Sequence, residues 1–207
     1  MNLYRKVVLS LVIALPLSSL VSAQDAVKQL ADKLQVMDTL LANFQQTIKD
    51  SQGAVLQQAS GVLKVKRPRR FYWRTETPYE HLVVTDGKIL WLHDLDLEQV
   101  SKQPFSADMD KAPALLLSGE IAEISKQYQV QALTSQQFVL SPRTDDGVFK
   151  QLTLEFRGAS ISGMILRDSL DQTTIIEFSS VRMNQPLADE IFQFTPPKGV
   201  DVINNEP

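Results

Sequence analysis

Cysteine is absent from this chain of 207 residues. The protein therefore forms no disulfide, has no thiolate nucleophile and cannot be lipid-anchored through an N-terminal cysteine. Histidine is scarce, since His81 and His93 are the only two and both fall on predicted strands. The chain also lacks a Gly-x-Ser-x-Gly elbow, and neither histidine is placed to activate a serine or threonine. We therefore expect a protein that is not an enzyme.

Patterns that bind metals or phosphate are missing as well. Neither histidine has the spacing of a metal site, and no glycine-rich phosphate loop occurs. Asp94, Asp96 and Glu98 would share one face of an extended strand, but the glycine and the final glutamate of a calcium loop are absent. We expect the solvated face of a strand there, and neither a metal nor a cofactor in the protein.

No apolar run approaches the roughly 20 residues that a membrane-spanning helix needs. The run at residues 7–17 follows Arg5 and Lys6 and precedes small residues at 21–23, which is the three-part arrangement of a secretory signal. An uncleaved anchor is the alternative. Pro16 and the small residues favour cleavage, because they suit a signal peptidase better than a continuing helix.

We therefore predict a signal peptide at residues 1–23, with cleavage after Ala23, and a mature periplasmic chain at residues 24–207. Those 184 residues fit one soluble domain that buries its own core. Loss of Arg5 and Lys6 from the 21 basic residues leaves 19 against 24 acidic residues, a net charge of about −5. A chain this acidic is a poor binder of nucleic acid, so we expect no nucleic-acid partner.

The mature chain opens with apolar residues at spacings of three and four, the period of one helical face. We predict an amphipathic helix over residues 25–44. Its apolar stripe consists of Val27, Leu30, Leu34, Met37, Leu41 and Phe44. The stripe fits an ordinary core-facing helix as well as one that covers a binding site.

From residue 55 onward, short runs rich in Val, Ile, Phe and Thr alternate with period two, as β-strands do. Asp86-Gly87 between two such runs predicts a tight antiparallel hairpin. Pro113 followed by three leucines predicts a short second helix, which Gly119 weakens. Further strands are predicted at 129–133, 138–141, 149–156, 161–167 and 173–181, with turns at 145–147 and 170–171 and a closing edge strand at 192–197.

Two helices are too few to cover both faces of so long a sheet. The sheet therefore has to curl onto itself, and the short connections between successive strands imply antiparallel neighbours. We predict an α+β fold, an incomplete (open) antiparallel β-barrel with an α-helical lid.

One arginine falls among apolar residues. A predicted strand that ends at Arg67 places Leu63, Val65 and Arg67 on one face, and Phe71 and Trp73 then point their rings to a common side. A guanidinium cannot be neutralised, so a buried one must find carboxylates or carbonyls, such as those at a helix end. The alternative is a rim arginine whose head reaches water.

Five basic residues are concentrated near this strand end: Lys64, Lys66, Arg67, Arg69 and Arg70. Nucleic acid is a poor interpretation because the chain is acidic overall and is exported. A docking patch for a partner, or a plain solvated strand end, fits the pattern better.

Five groups of residues occur in a characteristic order behind the predicted signal peptide. The groups are Lys66-Arg67-Pro68 with Phe71 and Trp73, Thr77-Pro78-Tyr79, Asp86-Gly87-Lys88 with Leu90-Trp91, Glu98-Gln99, and residues 192–202. Together they resemble the LolA family, the periplasmic carriers of outer-membrane lipoproteins. The similarity covers essentially the whole mature chain.

The resemblance implies a helical lid over an apolar cavity that holds lipoprotein acyl chains between the two membranes. It implies that Arg67 latches the lid by bonding backbone near Leu34 in the first helix and Leu117 in the second. It leaves open the roles of Arg69 and Arg70. The cavity residues that it implies are Leu30, Leu34, Leu63, Val65, Phe71, Trp73, Leu90, Leu116 and Leu117.

As partners, the resemblance implies acylated lipoproteins as cargo, an inner-membrane ABC-type releasing complex similar to LolCDE and an outer-membrane receptor lipoprotein similar to LolB. It implies a monomeric chaperone without a cofactor. The alternative is an envelope sensor that binds a lipid or a peptide on the same open-barrel fold. We expect the carrier, because such sensors usually have an additional domain or anchor and none is evident here.

Overall fold

The structure, a computed structural model, describes residues 23–105, 113–119, 121–144 and 149–205. Residues 1–22 of the predicted signal peptide and the predicted turn at 145–147 lie outside the described residues. The helical segments are α1 (Ala23–Gln35) and α2 (Ile121–Gln127), with 3-10 turns at Pro113–Leu117 and Asp189–Phe192. The strands are β1 (Thr39–Lys49), β2 (Val55–Lys66), β3 (Arg70–Thr77), β4 (His81–Thr85), β5 (Ile89–Asp94), β6 (Gln99–Pro104), β7 (Tyr128–Thr134), β8 (Gln137–Pro142), β9 (Phe149–Arg157), β10 (Ser160–Asp168), β11 (Thr173–Met183) and β12 (Asp201–Asn204).

These strands form one sheet in the order β12-β6-β5-β4-β3-β2-β1-β11-β10-β9-β8-β7. Among the described strands, β12 and β7 are the two edges, so the barrel is open. Neighbours pair antiparallel, apart from β12, which runs parallel to β6. Buried side chains of α1, α2 and the Pro113–Leu117 turn share one apolar cluster with the inward face of the sheet. The predicted α+β open barrel with a helical cover is confirmed.

Alternation along each strand separates the core from the surface. In β2, Leu63 and Val65 are buried while Lys64 and Lys66 point outward and are partly exposed. The strands predicted at 129–133, 138–141, 149–156, 161–167 and 173–181 and the hairpin around Asp86-Gly87 are all present. Their sequence pattern identified them because the period of two matches a sheet with one buried face.

The helix predicted at residues 25–44 is correct only in its first half. α1 ends at Gln35, and β1 follows. In β1 the buried positions Leu40, Ala42 and Phe44 alternate with the period of a strand. Phe44 continued the helical spacing by coincidence. Hydrogen bonding to β2 on one side and β11 on the other decides the conformation.

The interpretation of residues 94–98 as an extended strand is wrong. β5 ends at Asp94, and a carboxylate oxygen of Asp94 accepts a hydrogen bond from the amide of Leu97 at 3.0 Å. The chain therefore turns, and Glu98 takes a positive φ of 50°. The carboxylates do not line up along one strand face.

The edge strand predicted at residues 192–197 is also absent. Residues 189–192 form a 3-10 turn, the following residues run in irregular conformation, and the edge strand is β12. Pro196 and Pro197 have no amide hydrogen to give to a ladder. The pattern at residues 192–197 therefore belongs to a segment that packs on the sheet through its side chains rather than as a strand.

This C-terminal segment crosses the outer face of the sheet. Phe192 is buried there, and the ring of Phe194 lies 5.5 Å from that of Trp91 and 5.6 Å from that of His93. Lys66 fixes the segment from β2 through the carbonyl of Leu187 at 2.8 Å. The sheet therefore has an apolar cluster on its outer face, separate from the main core.

Asp189 strengthens the attachment of the C-terminal segment. Its carboxylate lies 2.6 Å from Nζ of Lys66 and 3.6 Å from Nε of Arg70. The hydrogen bond from Lys66 lowers the pKa of Asp189 from its usual value. Arg70, whose role the sequence left open, thus faces the C-terminal segment.

Gly61 has no room for a side chain. It lies opposite Phe44, and a Cβ atom at position 61 would overlap the carbonyl oxygen of Arg74 and lie 2.9 Å from the Phe44 ring. We expect Gly61→Ala to lower the free energy of unfolding by about 2 kcal/mol or more, measured by urea denaturation. Gly53→Ala is the control, because only its positive φ of 85° is strained there, and about 1 kcal/mol is expected. Equal losses would contradict the packing argument.

His93 makes stability depend on pH. Its burial under Phe194 lowers its pKa from 6.5, although the charge of Asp94 opposes this shift. The unfolded chain binds the proton more tightly, so the His93 contribution is complete above about pH 6.5 and is lost as the pH falls through the lower folded pKa. We expect His93→Gln to flatten the decrease of the unfolding free energy between about pH 7.5 and 5.5. An unchanged slope would contradict this.

Candidate functional site

An apolar cavity of about 240 Å³ lies inside the barrel. Its wall comes from β1, from β3 and β4 on one side, and from β9, β10 and β11 on the other. Ala114 of the Pro113–Leu117 turn also borders it. Gln46 and Thr174 supply polar groups to a wall that is otherwise apolar. The lining residues are Gln46, Phe71, Trp73, Val83, Ala114, Leu152, Met164, Leu166, Thr174 and Ile176. A cavity of this composition suits a hydrocarbon ligand rather than a charged one.

Aromatic rings form one wall of the cavity. The ring of Trp73 stacks on Phe44 at 3.9 Å and lies 6.3 Å from the nearly parallel ring of Phe71. The close approach of Phe44 to Trp73 occurs beside Gly61, where a side chain would collide with the Phe44 ring. Phe71 and Trp73 point the same way, as the sequence predicted.

The other seven predicted cavity residues do not line this cavity; they are buried in the apolar core, none of them more than 4% exposed. They are Leu30, Leu34, Leu63, Val65, Leu90, Leu116 and Leu117. Sequence reasoning missed the lining residues of β9, β10 and β11. Their inward alternation was visible, but which inward residues border a void depends on register and curvature, which a single sequence does not give.

Arg67 directly follows the last residue of β2 and contacts the segment after the Pro113–Leu117 turn, which is part of the lid. Its Nη1 donates a hydrogen bond to the carbonyl oxygen of Gly119 at 3.2 Å, and its backbone amide donates to Asp38 at 2.9 Å. Two residues later, the amide of Arg69 donates to the carbonyl of Ser118 at 2.8 Å. The turn between β2 and β3 therefore holds the residues that follow the Pro113–Leu117 turn.

The bond to Gly119 forms two residues after Leu117, close to where the sequence expected a partner. On the side of α1, the atom that faces Arg67 is the carbonyl of Asp38, four residues beyond Leu34, and it bonds the Arg67 backbone rather than the guanidinium. Whether Arg67 acts as a latch stays a prediction.

The guanidinium of Arg67 is incompletely satisfied. Within the described part of the chain, its Nε and Nη2 are buried and have no hydrogen-bond partner. Burial lowers the pKa of Arg67 to about 10, although the nearby carboxylate of Asp38 opposes this shift. The group stays charged at neutral pH, so the closed arrangement bears a desolvation cost that one hydrogen bond only partly offsets.

A larger cavity of about 600 Å³ lies between α1, α2, β7 and β8. Its wall mixes apolar residues with polar ones such as Gln129, Ser141 and Arg143, and it borders Gln24 at the start of the predicted mature chain. We regard the smaller cavity as the candidate site, because eight of its ten lining residues are apolar, whereas six of the ten that line the larger cavity are polar.

Both histidines have neighbours unrelated to the cavity. His81 pairs with Asp94 across the β4–β5 hairpin at 3.2 Å, and His93 lies beneath Phe194. Across the described residues, no group of three His, Asp or Glu side chains is arranged to hold a metal ion. No helix in the same ranges is both long and apolar enough to cross a membrane.

Comparison with known proteins reveals extensive similarity to one family. Residues 35–195 match the family described as "Outer membrane lipoprotein carrier protein LolA". An outer-membrane lipoprotein carrier protein of Hahella chejuensis is 41% identical over 201 residues, which cover 95% of this chain and 96% of that protein. The protein of the same description from Alcanivorax borkumensis is 37% identical over 186 residues, 88% of this chain and 89% of the relative.

Solved structures with the same fold are more distant in sequence. A LolA superfamily protein from Nitrosomonas europaea superposes with a TM-score of 0.51 at 12% identity, over 82% of this chain and 97% of that one. An uncharacterized conserved protein from Thermus thermophilus superposes with a TM-score of 0.52 at 10% identity, over 88% and 99%. At these identities, the likeness supports the open-barrel fold.

Proposed function

Because the chain belongs to the LolA family of outer-membrane lipoprotein carrier proteins, we infer that it is a periplasmic carrier of lipoproteins. The single observation that carries this conclusion is the family match over residues 35–195. The apolar wall that includes Phe71 and Trp73 suits the hydrocarbon of the cargo's acyl chains. We propose that these chains, and not the polypeptide of the cargo, are what the carrier recognises.

The reason for a carrier is the cost of exposing acyl chains to water. Each methylene left in water costs about 0.8 kcal/mol, so a protein that bears three acyl chains faces tens of kcal/mol if it crosses an aqueous space alone. An apolar cavity removes this cost without any chemistry. The carrier therefore needs neither a cofactor nor a catalytic residue.

The cavity is too small for this cargo while the lid is closed. Its volume of about 240 Å³ accommodates about eight groups of the size of water, which occupies about 30 Å³ in the liquid. A methylene is of similar size, so one chain of about 16 carbons already exceeds the space. We propose that the lid moves away and that acyl chains take the place of Leu30, Leu34, Leu116 and Leu117 against the inward face of the sheet.

Arg67 is proposed to set how readily the lid opens. Its bond to Gly119 holds the empty protein closed. The buried Nε and Nη2 oppose closure, because they regain water when the lid leaves. The net contribution of Arg67 to closure is therefore small, and cargo is released when the lid returns.

The route of the cargo follows from the family. We propose that a monomer accepts lipoproteins from an inner-membrane ABC-type releasing complex similar to LolCDE. It then passes them to an outer-membrane receptor lipoprotein similar to LolB. We also propose that residues 1–23 are removed on export, so that residues 24–207 act as one carrier domain.

The acyl-chain proposal is tested by native mass spectrometry of the mature protein co-expressed with an outer-membrane lipoprotein. We expect a one-to-one complex with the acylated cargo and none with a cargo whose lipidated cysteine is replaced. Binding of both forms would show that the polypeptide is recognised. Binding of neither would favour a sensor on the same fold.

The latch is tested by Arg67→Leu, assayed by transfer of acylated cargo to the receptor. We expect the variant to accept cargo but to transfer it about tenfold more slowly, because the empty closed state has lost its hydrogen bond to Gly119. Arg74→Leu is the control, since Arg74 pairs with Glu80 on the outer face of β3. Normal transfer by the Arg67 variant would rule out the latch.

A further inference from the structure

Lys33 fixes α1 to the half of the barrel opposite to Arg67. Its Nζ donates a hydrogen bond to the carbonyl oxygen of Gly158 at 2.9 Å and lies 3.5 Å from Oε1 of Gln136. The same ammonium lies 5.1 Å from the centre of the Phe156 ring. One side chain of the lid thus has three separate partners on the barrel.

Gly158 and Gln136 both lie in turns of the β7–β10 part of the barrel. Gly158 is in the turn between β9 and β10, and Gln136 is in the turn between β7 and β8. The amide of Phe156 donates to the carbonyl of Gln136 at 2.8 Å, which joins the β7–β8 turn to the end of β9, two residues before Gly158. Lys33 therefore contacts a firm support on the β7–β10 side, whereas Arg67 contacts the lid from the β2–β3 side.

The position of Lys33 in α1 suits a closing contact. It lies in the last turn of the helix, where a positive charge interacts favourably with the free carbonyls. It also lies beside Leu34 and one turn after Leu30, the two residues that fill the barrel from α1. Because a partly buried ammonium loses water on closure, its three partners are needed to compensate for it.

We propose that Lys33 is a second latch, which holds α1 against the β7–β10 rim and must be released before acyl chains replace Leu30 and Leu34. The inference rests on the proposed carrier function and adds a positioning residue to it. The two latches act on different lid segments, since Arg67 bonds Gly119 and Lys33 holds α1.

The same helix provides a matched control. Lys28 is five residues earlier in α1, its side chain is 75% exposed, and its partner is Asp32 within the helix, at 2.7 Å. Lys28→Met removes the same charge as Lys33→Met and keeps a similar aliphatic chain in both cases. Lys33→Arg restores a cation that can both donate to a carbonyl and stack on Phe156.

Lid opening is measured first, by amide hydrogen exchange in the empty mature protein. We expect exchange in the second half of α1 to be about fivefold to tenfold faster in Lys33→Met than in wild type. Lys28→Met and Lys33→Arg are expected to exchange as wild type does. Unchanged exchange in Lys33→Met would overturn the second latch, whatever the protein binds.

Affinity is measured next, with a fluorescent peptide that bears a dipalmitoylglyceryl-cysteine. We expect Lys33→Met to bind it about fivefold to tenfold more tightly, because more of the empty protein is already open. A variant that was merely less stable would bind no better. Measurable binding with the same affinity in wild type and Lys33→Met would overturn the second latch. Faster exchange with no binding by any variant would leave the latch standing and overturn the carrier function.

Discussion

An open sheet cannot cover its own apolar face, and the whole molecule is organised by this constraint. The inward apolar side chains of the described sheet need a cover, and α1, α2 and the Pro113–Leu117 turn provide it through residues such as Leu30 and Leu117. A barrel closed by hydrogen bonds between its first and last strands would bury the same surface permanently. On the proposed mechanism, part of the core belongs to segments that move away, so the hydrophobic surface that stabilises the fold would also be the surface offered to the cargo.

Polar contacts, rather than apolar ones, are suited to control such a cover. Acyl chains can replace leucine side chains with little change in free energy, so apolar contacts scarcely distinguish the occupied state from the empty one. A hydrogen bond such as that from Arg67 to Gly119 exists only when the lid is in place. In the proposed mechanism its energy acts on the difference between the two states, and the unpaired Nε and Nη2 of Arg67 oppose it.

Period and turn chemistry predicted most of the fold. The Asp86-Gly87 hairpin and strands β7 to β11 followed from turn chemistry and alternation. Strand phase placed Arg67 on the apolar face but left open whether its head reaches water, and the structure buries its Nε and Nη2. β1 was mistaken for helix because Phe44 extends a helical stripe by coincidence. The cavity wall from β9 to β11 and the partners of Lys33 depend on distant turns meeting in space. No local pattern in a single sequence encodes such a meeting.

The parallel pairing of β12 with β6 has a consequence for how the chain behaves among other proteins. An exposed sheet edge recruits strands from neighbouring chains and so promotes aggregation. Here one edge is a strand of four residues, Asp201–Asn204, and the other, β7, lies beside α1 and α2. A carrier that repeatedly binds apolar cargo thus offers only a short free strand edge with which the cargo, or a second copy of the protein, could pair.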